Sequence, residues 1–168
     1  CLAVPAAAET LLVVRKTDDA LDFMDPGSGL RVATAALGHA PHEVSVSPDG
    51  RRAVVSNYGT REQPGSTLSI VDLEQPHEQR RIDLAPHSRP HGAAWFAADR
   101  IAATGGGSPH LLVVEPDTGR IVAAIATGQQ VSHMVTVSGD GSRAYVTNIG
   151  SGSATAIDLV AGRKLGDV

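Results

Sequence analysis

Cysteine is almost missing from this chain of 168 residues: Cys1 stands alone, so no internal disulfide can form and a cysteine-rich zinc module is excluded. Long apolar runs are missing too, and no stretch approaches the roughly 18–20 residues that cross a bilayer as a helix. Lysine and arginine never gather in a block, and 14 of them stand against 18 acids, a formal net charge of −4. Binding that relies on neutralising phosphates needs the opposite balance, so nucleic acid is not an expected partner. Windows free of Gly and Pro are scarce as well. The 18 Gly and 10 Pro are spread along the whole chain, and the longest window without either runs from Ala6 to Asp25. An all-helical protein is excluded.

Hydrophobic residues make up 42% of the chain and charged residues 19%, enough apolar material for a core within one ordinary domain. The first residues invite three readings. Small residues at Ala6 and Ala8 fit the end of a secretory signal cleaved before Glu9. Alternatively, Cys1 is the lipid-modified first residue of an exported lipoprotein, followed by an Ala-rich tether. In the third, the reading frame is clipped and these residues carry no meaning. Export, to the periplasm, cell envelope or outside, is the expectation.

Internal repeats dominate the rest of the chain. His42-Glu43-Val44-Ser45-Val46-Ser47-Pro48-Asp49-Gly50, ending in Ser56-Asn57, lines up with His133-Met134-Val135-Thr136-Val137-Ser138-Gly139-Asp140-Gly141, ending in Thr147-Asn148. A looser copy lies between them, from Pro90-His91-Gly92 to Thr104-Gly105. A second anchor is an apolar strand closed by an acid, at Asp25, Asp72, Glu115 and Asp158, spaced 47, 43 and 43 residues apart. Gly29, Gly119 and Gly162 follow three of these acids at the same offset. Two independent anchors keep one period, and each unit reads as four short strands separated by turn residues. Four strands per period of 40–45 residues select an all-β β-propeller with four-stranded antiparallel blades. The units fall near residues 9–38, 41–85, 90–127 and 132–168, with residues 1–8 set apart as signal remnant or tether.

At Tyr145-Val146-Thr147-Asn148, and at the turn Ser47-Pro48-Asp49-Gly50-Arg51, the chain resembles the YVTN-type β-propeller repeat proteins. The resemblance runs from about Glu9 to Val168. It implies a ring that closes with seven blades, of which about 3.5–4 are present here, and it implies no particular activity. An open arc would expose apolar flanks at both ends, so self-association is expected of it. The competing reading is a self-sufficient half-ring that dimerises.

With the first strand of each unit innermost, its entry and the loop between second and third strands share one end of the channel. His42, His91 and His133 all occupy that entry, and Asn57, Tyr58 and Asn148 fall on the same end. In the functional reading, these imidazoles, Glu43 and the Asn side chains surround a polar pocket for a metal, a haem-like group or an anionic small molecule. Three His can hold a catalytic zinc only if they converge. In the structural reading, each His hydrogen-bonds the backbone of a neighbouring blade and locks the first strand. His39, His77, His87 and His110 lie outside the register and read as solvated loop residues. Asp18-Asp19 reads as a polar turn, Asp49, Asp99 and Asp140 as turn geometry, and Trp95-Phe96 as filling between blades. Gly105-Gly106-Gly107 lacks the following Lys-Ser/Thr of a phosphate loop, and no Gly-x-Ser-x-Gly elbow occurs. No side chain reads as catalytic. The expected function is a non-catalytic, exported module that binds a small molecule or a protein partner on the His-bearing face. The alternative is a cell-envelope enzyme or redox subunit holding a metal or haem-type cofactor there.

Overall fold

The structure, a computed structural model, describes residues 9–168. The expectations attached to Cys1, Ala6 and Ala8 lie outside the described residues. Four antiparallel sheets follow one another along the chain. The first has three strands, β1 (Leu11–Arg15), β2 (Ala20–Met24) and β3 (Arg31–Ala36). The second holds β4 (Pro41–Val46), β5 (Arg52–Gly59), β6 (Pro64–Asp72) and β7 (His77–Asp83). The third holds β8 (Pro90–Ala97), β9 (Arg100–Gly105), β10 (His110–Val114) and β11 (Ile121–Ala126). The fourth holds β12 (Ser132–Val137), β13 (Arg143–Asn148), β14 (Ser153–Asp158) and β15 (Arg163–Asp167). Each is a simple meander whose neighbours in sequence are neighbours in the sheet. The one helical element among the described residues is a 3-10 turn at Lys16–Asp18, so none is long and apolar enough to cross a membrane. This is the β-propeller architecture that the period selects, with three four-stranded blades and a first blade of three strands.

Turn chemistry explains where the strands stop. Ser47 Oγ donates to Asp49 Oδ1 at 2.6 Å and accepts the Arg52 amide at 2.9 Å, which closes the β4–β5 hairpin. Ser138 and Asp140 repeat this between β12 and β13, at 2.6 Å and with the Arg143 amide at 3.0 Å. Hydrogen bonds from Ser138 and Ser142 push the Asp140 pKa down to about 2, because they stabilise its charged form. The closing acids work in the same way at the next turn: Asp72 accepts the amides of Glu74 and Gln75, and Asp158 those of Val160 and Ala161. The glycine that follows holds φ of 70°, 77° and 64° at Gly29, Gly119 and Gly162, a region that L side chains avoid.

The blades pack face to face. In the second and third blades the central strands β5, β9 and β10 are buried on both sides and read as near-continuous runs, whereas β13 of the last blade alternates exposed and buried residues. Val54 points into the core shared with the third sheet, beside Leu68, Ile70, Trp95, Ile101 and Leu112, while Val55 points the other way, beside Leu21, Phe23 and Leu37. Ala102 and Leu111 of the third sheet join Val146 and Ile157 of the fourth. Trp95 and Phe96 fill successive inter-blade gaps, as expected of them, Trp95 on one side of β8 and Phe96 on the other. The two end faces stay open. Leu11, Val13 and Val32 are exposed on the first, and Met134, Tyr145 and Leu165 are exposed in the last blade. A cleft of about 430 Å³ lined by Leu11, Leu12, Phe23, Val44 and Val46 lies beside β1, where the first blade has one strand fewer than the others.

Candidate functional site

The inner strands β4, β8 and β12 pack successively against one another, with β7, β11 and β15 outermost. Each inner strand begins the same way. A residue with positive φ leads in, Ala40 at 47°, Arg89 at 54° and Val131 at 53°. Those values are costly for residues with a Cβ, most of all for the β-branched Val131. A bulge follows. Pro41 pairs with Asn57 and Val44 with Val55, so His42 and Glu43 together oppose Ser56. His91 and Gly92 likewise oppose Thr104, and His133 and Met134 oppose Thr147. Strain and a re-aimed backbone therefore recur three times at one end of the channel.

A hydroxyl repairs each bulge. The Glu43 amide donates to Ser56 Oγ at 3.1 Å, the Gly92 amide to Thr104 Oγ1 at 2.9 Å and the Met134 amide to Thr147 Oγ1 at 3.1 Å. The same hydroxyls bridge the blades: Ser56 Oγ donates to the His91 carbonyl at 2.7 Å and Thr104 Oγ1 to the His133 carbonyl at 2.5 Å. This corrects the structural reading of the histidines. A lock between inner strands exists, but a Ser or Thr side chain makes it and the backbone of the His accepts it. The imidazoles are left for something else. The recurring Ser56, Thr104 and Thr147 were available as a signal, since the hydroxyl is kept even where Gly105 replaces Asn.

The three imidazoles form a column. Ring centroids are 4.2 Å apart between His42 and His91, and 3.6 Å apart between His91 and His133. Tyr58 stands beside it, 5.4 Å from His91 and 5.6 Å from His42. His42 Nδ1 lies 3.3 Å from Glu43 Oε1. His91, at the centre, is 5% exposed, and its Nδ1 has no hydrogen-bond partner. Burial first, then the neighbouring imidazoles of His42 and His133 and the charge of Lys16, push the His91 pKa down to about 4. His91 is therefore a neutral imidazole near pH 7. Two cations cover Tyr58: Lys16 Nζ lies 5.2 Å from its ring centroid and Arg89 Cζ 5.4 Å. The sequence reading missed both. Their positions one residue past β1 and one before β8 place them at the same end of the channel.

His42, Glu43, Tyr58, His91 and His133 thus come together, while Asn57 and Asn148 do not join them. Both Asn residues are 1% exposed and bond within their own sheets, Asn57 to Thr67 and Ser69, Asn148 to Thr155 and Ser132. Hydroxyls of neighbouring strands take up both ends of the Asn148 amide and the Nδ2 of Asn57, whose Oδ1 is buried without a partner. The reading of His87 and His110 as solvated loop residues also needs correction. They are half-buried and paired edge to face at 5.0 Å, with His87 Nδ1 3.0 Å from Ser108 Oγ. Burial and the neighbouring His110 lower the His87 pKa. His39 and His77 are exposed, as expected, but His77 opens strand β7 instead of lying in a loop.

No family model matches this chain, and no curated protein matches it either. Solved structures do. A chain titled Kuenenia stuttgartiensis hydrazine synthase superposes with a TM-score of 0.82 at 22% identity, over 94% of the present chain and 45% of that one. The present chain therefore spans less than half the length of that relative. At this identity the likeness shows the fold alone, the β-propeller described above.

Proposed function

We propose that this chain is an exported, non-catalytic binding module whose ligand is a small anionic molecule seated at the His-bearing end of the propeller. The observation that carries the reading is the convergence of His42, His91 and His133 from three successive blades beside Tyr58, Lys16 and Arg89. A rigid ring that repeats backbone strain and bulges at one end holds such groups in place without further reorganisation. Two cations beside hydrogen-bonding rings favour an anion, and the attraction weakens as salt screens it. Kinship with the YVTN-type proteins and the export of the chain belong to the same proposal. They rest on the Tyr145-Val146-Thr147-Asn148 segment and on the Ala6 and Ala8 pattern.

Exported protein, whose N-terminus is expected at Glu9, is titrated with citrate, inorganic phosphate and neutral glucose while backbone amide spectra are recorded. Citrate or phosphate is expected to shift Lys16, Tyr58 and His133 saturably, with glucose inert. A Lys16→Gln/Arg89→Gln double variant is expected to weaken the anion about tenfold, the loss of roughly 1.4 kcal/mol of attraction. Shifts absent from this end of the ring, or unchanged in the double variant, would remove the reading.

A further inference from the structure

We infer that His42, Glu43 and His91 form a binding site for a divalent first-row transition-metal ion, with coordination positions left open towards Tyr58. The inference rests on the binding role proposed above and names a resident of that same site. One ligand atom from each of the three residues lies within 4.8 Å of the others. Around a tetrahedral zinc with bonds of about 2.0–2.1 Å, ligand atoms sit roughly 3.3 Å apart, so modest side-chain rotation closes the set. His42 and Glu43 are half-exposed and free to make that rotation, whereas His91 is fixed by its place in the column.

A second, independent observation points the same way. The His91 imidazole is 5% exposed and its Nδ1 has no hydrogen-bond partner, an arrangement that costs about 1–3 kcal/mol unless something outside the chain satisfies it. The chemistry of the set narrows the ion. Two imidazoles and one carboxylate suit zinc, iron or copper and ignore calcium and magnesium, which take oxygen ligands. His133 stacks on His91 at 3.6 Å and acts here as a positioning residue that holds the ring's plane. With three protein ligands, the ion keeps room for one or two more. Lys16 and Arg89 stand beside that room on Tyr58, so a small anion would complete the coordination.

The test uses the full chain carrying Cys1→Ser, so that its one thiol cannot contribute. Metal-free protein is titrated with Co²⁺, followed by visible absorption, and with Zn²⁺, followed by calorimetry and thermal melting. The expected result is one ion per chain and a melting temperature that rises with Zn²⁺ concentration, because only the folded state brings the three ligands together. Glu43→Gln and His42→Ala, both half-exposed positions, should each keep the metal-free melting temperature and weaken either ion at least tenfold. His77→Ala, exposed and remote in the register, should change nothing. Lack of one-to-one binding would overturn the inference, as would binding that both Glu43→Gln and His42→Ala leave intact. Anion titrations repeated in EDTA separate the two readings: citrate or phosphate binding without metal binding removes the metal site alone, and loss of both removes the binding role.

Discussion

Bringing metal-free protein from pH 7 to pH 4.5 is expected to cost on the order of 2–3 kcal/mol of stability, through His91 above all. The sign follows from linkage. The folded-state pKa of His91 is pushed down to about 4, below the ordinary value of 6.5, first by burial and then by His42, His133 and Lys16. Between those two values the unfolded chain binds the proton and the folded chain refuses it. The stabilisation is complete above pH 6.5 and drains away as the pH falls towards 4. The groups facing the ring are His42, His133, Tyr58, Lys16, Arg89 and Glu43, and the one carboxylate among them does not reverse this direction. His87, whose pKa is lowered by burial and by His110, adds to the loss with the same sign. Carboxylates act lower. The pKa of Asp140 stands at about 2, so its contribution is lost only as the pH falls through the range between the ordinary aspartate value and 2. Urea unfolding at several pH values reads the slope directly, and His91→Gln should remove most of it. A flat profile from pH 6.5 to 4.5, or an unaltered slope in the variant, would contradict the burial and crowding of His91.

Gly92→Ala is expected to destabilise the protein by roughly 3 kcal/mol, the upper part of the range for overpacking. A Cβ on Gly92 would lie 2.7 Å from the Val135 nitrogen, 2.9 Å from the His133 oxygen and 2.9 Å from the Met134 Cα. All three are backbone atoms of β12, so no flexible side chain can yield. The blades must separate, which also breaks the bond from Thr104 Oγ1 to the His133 carbonyl and pulls His133 off His91. At the equivalent bulge positions Glu43 and Met134 carry side chains, so the close approach is particular to the β8–β12 junction. Gly139→Ala supplies the control, since nothing lies within 4 Å of its added Cβ, and it should fall within about 0.5 kcal/mol of the parent protein. Chemical denaturation of the two variants distinguishes them, and equal stabilities would show that β8 and β12 are not in this contact.

The architecture was legible because its determinants are local and repeated. Ser47 and Asp49 close their turn with their own side chains, and Asp72 and Asp158 cap theirs, so the residues that set strand ends are written beside those ends. The register of the three histidines followed from the period, since residues one period apart become neighbours across a blade interface. Nothing in the spacing told where the imidazoles would point. The bulge that re-aims them depends on a partner strand, and so does its repair by Ser56, Thr104 and Thr147. Asn57 and Asn148 looked like loop residues facing the channel because they end a strand. The hydroxyls of Thr67 and Ser69, and of Thr155, draw their amides into the sheet instead. Asp22 was not foreseen at all. It is buried on an end face, held by Thr34 at 2.7 Å and Arg15 at 2.9 Å, and those partners come from the strands on either side of β2. Here burial raises its pKa, but the bonds from Thr34 and Arg31 and the charge of Arg15 outweigh that and lower it.

The proposed binding role requires that the inner strands of successive blades deliver their side chains to one place. Proton–proton Overhauser contacts among the histidine rings of the metal-free protein measure this most directly. Cross-peaks are predicted from the His91 ring to those of His42, His133 and Tyr58, with none to the ring of His77. Histidine rings at 42, 91 and 133 that show no mutual contact in a folded sample would contradict it.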